Sequence, residues 1–129
     1  MGSSLEEKIW YELKKKSIDA ERQYLAGEGR EKYRLDFAIF CKKGNIDVEC
    51  NGDFRQSRRS QIYKDNLREH LLSSQGWSIL RFEKREISSN LSSCFELIEK
   101  IINSKGGVQN QNSIRKYFKN QKLEQLILD

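Results

Sequence analysis

Two carboxylates in the middle of the chain, Asp36 and Glu49, have the residue types and the spacing that divalent-metal chemistry requires. Asp36 interrupts the apolar run 35–40, and Glu49 lies in the next alternating segment, so a turn near Gly44 would place them on neighbouring strands. Two carboxylates held close together repel each other, and a divalent cation removes that repulsion. Mg²⁺ prefers oxygen ligands, polarises a phosphoryl group and lowers the pKa of bound water. The pair therefore predicts an Mg²⁺ or Mn²⁺ site suited to phosphodiester hydrolysis.

Structural alternatives stand beside this interpretation. Asp36 would also fit the polar outer face of an edge strand. A third carboxylate, Glu6, lies inside the apolar arc of the first predicted helix, between Ile9 and Trp10 in angle. An unpaired buried carboxylate is unfavourable, so Glu6 should be partnered, at a rim or functional. A glutamate favoured by the dipole at the start of a helix is the other interpretation. The sequence leaves both pairs of alternatives open.

A basic cluster follows the second carboxylate directly, after Asn51. Arg55, Arg58 and Arg59 occupy this segment, and lysine and arginine meet backbone phosphates regardless of base sequence. A solvated, charged loop is the structural alternative for each single arginine. The position of the cluster beside the carboxylates favours contacts with a nucleic-acid backbone.

The elements that must position these side chains follow from hydrophobic periodicity. The predicted elements are a helix over 5–16, a short strand within 17–25, strands over 33–41 and 46–51 joined by a hairpin at 42–45, a helix over 60–74, a strand over 77–82 and a helix over 91–102. Alternation predicts one apolar face on the strand 33–41, made of Tyr33, Leu35, Phe37, Ile39 and Cys41. The helix over 60–74 is predicted to bury Tyr63, Leu67 and Leu71, with His70 near that line as a structural residue.

This order of elements predicts an α/β fold with a central, mixed four-stranded sheet flanked by helices. The domain is expected to span residues 5–103. Residues 104–129 are expected to form a linker, rich in glycine and polar residues, and an extra C-terminal helix. That helix is either an appendage or part of a longer protein.

Composition narrows the class of protein. The 129 residues suit one domain, and the net charge of +5 points weakly to an anionic partner. Three cysteines without a C-x-x-C pair make a zinc site or a disulfide framework improbable. The chain has no apolar stretch near the length of a membrane span and no N-terminal signal-peptide pattern. We expect a cytoplasmic protein that has no membrane partner.

Six short motifs in order resemble those of one nuclease group. They are Glu6-x-x-x-Trp10-x-x-Leu13, Arg22-Gln23, Leu35-Asp36-Phe37, Val48-Glu49-Cys50-Asn51-Gly52, Asp65-x-x-Arg68 and Gly76-Trp77-x-Ile79-Leu80-Arg81-Phe82. Together they resemble the PD-(D/E)XK, or restriction-endonuclease-like, nucleases related to very-short-patch-repair endonucleases. The resemblance covers roughly residues 5–103.

The resemblance implies roles for individual residues. It implies Asp36 and Glu49 as metal ligands, Glu6 as an accessory acid near the metal or its water, and Gln23 as a polar neighbour. It also places Asp65 and Arg68 on the helix that braces the site, and it implies cleavage that leaves a 5′-phosphate.

Two departures from the family pattern affect the expected chemistry. Asn51 stands where the family has an acid or a lysine, and Arg55 stands where it has a histidine. An amide cannot act as a base, and arginine stays protonated. Lys64 is a conjectural replacement for the missing cation. The predicted site therefore comprises Glu6, Gln23, Asp36, Glu49, Asn51 and Lys64 for catalysis and Arg55, Arg58, Arg59, Lys64 and Arg68 for nucleic-acid binding.

The leading hypothesis is Mg²⁺- or Mn²⁺-dependent endonucleolytic cleavage of DNA. The two departures support an alternative, a nucleic-acid-binding domain that has lost cleavage. A third alternative is an interaction module whose last helix, over 114–128, docks a partner. Whether the chain acts as a homodimer or within a larger protein is left open by the sequence.

Overall fold

The computed structural model describes residues 4–51 and 59–109, with side chains described for 4–50 and 62–109. The elements in chain order are α1 (Ser4–Lys15), β1 (Glu21–Glu28), β2 (Glu31–Cys41), β3 (Gly44–Asn51), α2 (Arg59–Ser74), β4 (Trp77–Glu83), α3 (Lys84–Ser89) and α4 (Leu91–Ser104). The predicted C-terminal helix over 114–128 lies outside the described residues. Among the described residues, no helix is both long and apolar enough to cross a membrane.

The strands form one four-stranded sheet in the order β1-β2-β3-β4. The pairs β1–β2 and β2–β3 are antiparallel, whereas β3–β4 is parallel. The return from β3 to β4 passes through α2, as a parallel connection requires a crossover. The predicted mixed α/β sheet is confirmed.

The two faces of the sheet bury separate apolar clusters. The larger cluster joins the face of β2 that carries Phe37 and Ile39 to buried residues of α1, α3 and α4, among them Leu13, Ile87 and Ile98. The smaller cluster joins Ala38 of β2 to Leu72 of α2, Trp77 of β4 and their neighbours. The sheet is therefore covered on both sides, and α2 alone covers the second face within the described part of the chain.

The predicted alternation along β2 is wrong at its N-terminal half. Leu35 packs with Ala38 in the smaller cluster, whereas Phe37 and Ile39 pack in the larger one. The strand therefore changes the direction of its side chains between residues 35 and 37. The strand β1 is distorted at the same level: Gln23, between the pairs Arg22–Phe37 and Tyr24–Leu35, has a φ of 50°. A distortion that re-aims side chains is common in strands next to functional sites.

The hairpin between β2 and β3 is confirmed, but its turn is two residues earlier than predicted. Cys41 pairs with Gly44, so Lys42 and Lys43 form the turn. Gly44 itself is a strand residue with a φ of 136°, and its neighbour Asn45 donates a 2.9 Å backbone hydrogen bond to Gly76. That bond aligns the start of β3 with the start of β4.

The predicted buried line of α2 is also wrong. Tyr63 and Leu67 are 66% and 50% exposed, and His70 is exposed, whereas Leu72 is fully buried. The helix instead turns the face of Arg68 and Leu72 toward the sheet. A buried ion-pair partner of Arg68, described below, lies on that side, and turning Arg68 away would leave that carboxylate buried without its cation.

The first residues of the predicted linker pack on the sheet. Gln109 donates a 2.8 Å backbone hydrogen bond to Phe40, and Lys42 donates one of 3.0 Å to Gly107. Cys41 and Val108 form an isolated bridge. Residues 105–109 therefore extend the folded unit beyond α4, and the division at residue 103 stays a prediction.

Candidate active site

Three polar side chains from three different elements meet at one edge of the sheet. Glu6 comes from α1, Gln23 from β1 and Asp36 from β2. The Gln23 Nε2 donates to Glu6 Oε2 at 3.3 Å, and Gln23 also hydrogen bonds to Asp36. The register of β1 and β2 places Gln23 directly opposite Asp36, between two paired positions. The backbone distortion at Gln23 therefore coincides with the point where its amide bridges two carboxyl groups.

Asp36 also joins β2 to β3. The β2–β3 ladder contains the pair Phe37–Val48, and continuing that register by one residue places Asp36 opposite Glu49. The side chain of Asp36, through Oδ2, accepts a 2.8 Å hydrogen bond from the backbone N–H of Cys50. This bond holds the carboxyl group at the end of the ladder, beside Glu49, as the sequence predicted for neighbouring strands.

Burial and neighbouring charge raise the pKa of Asp36. Desolvation is the larger cause, and the Glu49 carboxylate adds to it, while the Cys50 N–H, Arg68 and Gln23 oppose it. The pKa of Glu6 is raised too, first by desolvation and then by the charge of Asp36. Negative charge is therefore crowded at this edge of the sheet, which is the electrostatic condition that attracts a cation.

Glu49 is held from two directions by arginines. The Arg68 guanidinium of α2 binds both carboxylate oxygens, with Nη1 at 2.8 Å from Oε2 and Nη2 bonded to Oε1. The Arg81 Nε of β4 lies 3.3 Å from Oε2, and Arg81 also pairs with Glu69. Glu49 is only 5% exposed, so these cations are what makes its burial as an anion acceptable.

A buried acid that the sequence reasoning did not single out lies two residues before Glu49. Asp47 is fully buried, and its oxygens accept no hydrogen bond from the described residues. Its nearest cation is Arg68, with Nη2 at 3.6 Å from Oδ2. Burial raises the pKa of Asp47 to about 8, and the Glu49 carboxylate adds to the rise while Arg68 opposes it. The signal was present in the sequence, because Asp47, Glu49 and Asn51 alternate along one face of a central strand.

The basic residues of the predicted site fall into two groups. Arg68 is turned inward, with a side chain 14% exposed and bound to Glu49. The Arg68 guanidinium also lies 5.8 Å from the Tyr33 ring centroid. Lys64, one helical turn earlier on α2, is exposed. The side chains of Asn51 and Arg59, and all of Arg55 and Arg58, lie outside what the structure describes.

The oxygen ligands at this edge of the sheet are of the chemical type that a hard divalent cation prefers. Asp36 and Glu49 supply carboxylate oxygens from adjacent strands, and Glu6 adds a third carboxylate joined to Asp36 through Gln23. No group of three or more His, Cys, Asp and Glu within the described residues has the arrangement of a ready-made metal cage. Mg²⁺ usually takes one or two carboxylates and completes its shell with water and phosphate oxygens, so two ligands are compatible with it. Ligation by Glu49 would require its oxygens to be shared with, or released by, Arg68 and Arg81.

Comparisons with known proteins agree with the fold. Residues 5–102 match the model of the family REase_MTES_1575. Among solved structures, the chain is similar to the catalytic domain of the homing endonuclease I-Bth0305I, with a TM-score of 0.60 and 20% sequence identity over 81% of this chain and 98% of that one. No curated protein matches the chain at a significant level. The structural similarity, at this identity, bears on the fold alone.

Proposed function

Because the chain belongs to the restriction-endonuclease-like family REase_MTES_1575, we propose that it is a divalent-metal-dependent endonuclease that hydrolyses DNA phosphodiester bonds. One observation supports the assignment of this activity to particular residues. Glu6, Gln23 and Asp36 converge from α1, β1 and β2, and the strand register sets Asp36 opposite Glu49. The negative charge that is concentrated at these residues would be explained if a metal ion and a phosphate bind there.

In this proposal, Asp36 and Glu49 hold Mg²⁺ or Mn²⁺. When bound, the metal polarises a phosphoryl oxygen and lowers the pKa of a water molecule. The chain's own groups prepare the edge: the Cys50 N–H orients Asp36 through its 2.8 Å hydrogen bond, and the Gln23 amide holds Glu6 next to it.

Glu6, whose pKa is raised by burial and by the charge of Asp36, would accept a proton from the attacking water. Asn51 stands in the position where the family has a charged residue, and its amide would donate to or accept from that water without acting as a base. Lys64 lies one helical turn before Arg68 on α2 and is exposed. The backbone phosphates would be contacted by Lys64, Arg55, Arg58 and Arg59. The product expected from the family resemblance carries a 5′-phosphate.

A nucleic-acid-binding domain without cleavage is the second candidate, and one observation favours it. Both oxygens of Glu49 are bound by Arg68 and Arg81, which leaves this carboxylate less available to a metal than a free acid would be. The Asn51 side chain also replaces a charged residue of the family pattern.

Cleavage assays distinguish the two candidates. Supercoiled, linear, single-stranded and branched DNA would be incubated with Mg²⁺, Mn²⁺ or EDTA and with the wild type, Asp36→Asn or Glu49→Gln. Glu96→Gln, an exposed change of the same chemistry on α4, is the matched control. Metal-dependent cutting that Asp36→Asn and Glu49→Gln abolish and Glu96→Gln preserves supports the enzyme. DNA binding that is equal in EDTA, without cutting by folded wild type on any substrate, would support the binding domain instead.

A further inference from the structure

We propose that Lys14 and Arg22, which both lie against the indole of Trp10, form a subsite for a backbone phosphate of DNA. This phosphate is the neighbour, on the same strand, of the phosphate that is cleaved. This inference rests on the proposed function, because it assigns a substrate contact beside the same Glu6–Gln23–Asp36 edge. It adds two cations that the sequence-based set of nucleic-acid-binding residues did not include.

Two cations from different elements converge on one aromatic ring. The Lys14 Nζ lies 4.7 Å from the centroid of Trp10, and the Arg22 Cζ lies 5.1 Å from it. Trp10 is itself fixed, because it stacks on the buried Phe37 with ring centroids 6.2 Å apart and an angle of 14° between planes. The electron-rich face of an indole attracts cations, so the ring holds each of the two side chains beside it. Both positive groups are therefore positioned by the same fixed aromatic ring.

The pair has unused capacity for an anion. The Lys14 side chain is exposed, so its ammonium group is accessible to an anion from solution. Arg22 pairs with Glu7 at 2.7 Å, but the Glu7 side chain is 57% exposed. An exposed ion pair of this kind contributes little free energy, so a phosphate can replace or share it. Arginine and lysine together provide the donors that backbone phosphates take.

The location links this pair to the candidate active site. Glu6 lies four residues before Trp10 on α1, about 6 Å along the helix axis at 1.5 Å per residue. Gln23 directly follows Arg22 on β1. A strand whose reacting phosphate lies at Asp36 would therefore carry a neighbouring phosphate past Trp10.

A cavity of about 620 Å³ opens at the same place, and its wall includes Trp10, Lys14, Ile18, Ala20 and Gln109. This volume is within the range of sites that enclose small ligands, so it can accept a nucleoside attached to the bound phosphate. The wall also carries Asp19, which disfavours an anion nearby. We therefore assign the phosphate to the Trp10 end of the cavity, where Lys14 forms part of the wall and Arg22 lies 5.1 Å from the centroid of the Trp10 ring.

The test measures DNA affinity in EDTA, where cleavage does not interfere, for the wild type, Lys14→Gln and Arg22→Gln. Lys15→Gln is the matched control, because Lys15 is the next residue of α1, is exposed and carries the same charge. Each of the first two changes should weaken binding about fivefold, and should reduce the slope of log K against log salt by about 0.9, the value for one lost phosphate contact. Lys15→Gln should leave both quantities near their wild-type values.

A second readout follows Trp10 directly. The chain has two tryptophans, so protein labelled with 5-fluorotryptophan gives two fluorine resonances, which Trp10→Phe would assign. Addition of a short DNA duplex should move the Trp10 resonance and leave that of Trp77 nearly unchanged, since Trp77 is buried in the other cluster. A wild type that binds DNA with no response at Trp10 and no effect of Lys14→Gln or Arg22→Gln would overturn the subsite alone. A wild type that binds no DNA at all would overturn the proposed function together with it.

Discussion

The guanidinium of Arg68 binds both carboxylate oxygens of Glu49, a residue 19 positions earlier in the chain, and so ties α2 to the central strand β3. The same guanidinium lies 3.6 Å from the buried Asp47 carboxylate. One cation thus serves two acids in the interior, with Arg81 as the second cation on Glu49. Because the position of Glu49 depends on this contact, Arg68 acts on the candidate site through Glu49 and is a positioning residue.

Replacing Arg68 should therefore destabilise the protein strongly. Arg68→Ala would leave the buried Glu49 carboxylate with Arg81 alone. Removing one partner of a buried ion pair costs about 3–5 kcal/mol, because a buried charge remains uncompensated. Urea-induced unfolding at pH 7 would measure the loss. Arg34→Ala, at an exposed position of β2, should change the free energy of unfolding by less than about 0.5 kcal/mol. Equal small effects of both substitutions would show that the contact contributes little.

Asp47 should make stability depend on pH with an unusual sign. Its pKa is about 8 in the folded protein, above its ordinary value of 3.8. Between these two pH values the folded chain keeps a proton that the unfolded chain releases. The contribution of Asp47 to stability is therefore largest below pH 3.8 and falls as the pH rises toward about 8. A difference of one proton changes the free energy of unfolding by about 1.4 kcal/mol per pH unit.

The variant Asp47→Asn isolates this contribution. Its free energy of unfolding, measured in urea from pH 4.5 to pH 8.5, should fall less with rising pH than that of the wild type. The gap between the two curves should be largest at the alkaline end. Parallel curves across the whole interval would mean that Asp47 titrates alike in both states and that its burial is compensated in another way.

A substitution at Gln23 should affect the stability of the protein and its cleavage activity differently. A glutamine with a φ of 50° is strained, and glycine adopts that conformation without strain. Gln23→Gly should therefore leave the free energy of unfolding equal or raise it by up to about 1 kcal/mol. Cleavage should nevertheless fall, because the amide that joins Glu6 to Asp36 is lost.

Ser17→Gly is the control for Gln23. Ser17 has a φ of 58° and is exposed, so its replacement relieves similar strain without removing a contact of the candidate site. This variant should gain stability and keep full cleavage. A Gln23→Gly protein that is as stable and as active as the wild type would remove Gln23 from the site.

The coupling between Glu6 and Asp36 should be visible in a titration. Each of the two groups has a raised pKa, and the charge of Asp36 contributes to the rise at Glu6. Asp36→Asn should therefore lower the pKa of Glu6 toward its ordinary value of 4.5. Carbon-13 NMR of the glutamate side-chain carboxyls would follow this pKa in wild type and variant. Glu96→Gln should leave it in place, and an unchanged Glu6 midpoint in Asp36→Asn would contradict the proximity of the two acids.

Local patterns in the sequence predicted the frame of the candidate site. Asp36 and Glu49 are placed on neighbouring strands by period-two alternation and a hairpin, and both features are encoded over a few residues. The helix that carries Glu6 follows in the same way from its apolar periodicity. The order of helices and strands then restricted the fold to a mixed sheet covered by helices, because few arrangements bury the apolar faces of these elements.

Only the tertiary structure decided how the acids are neutralised. Glu49 is bound by Arg68 from α2 and Arg81 from β4, and Asp47 is sealed beneath the same helix, because three elements distant in sequence pack together. The face of α2 that carries Arg68 and Leu72 is turned toward the sheet, and Tyr63 and Leu67 face solvent against their local pattern. Periodicity reports which side chains share a face of one element. The free energy of a buried charge depends on which cation another element brings to it, and that is known only when the chain has folded.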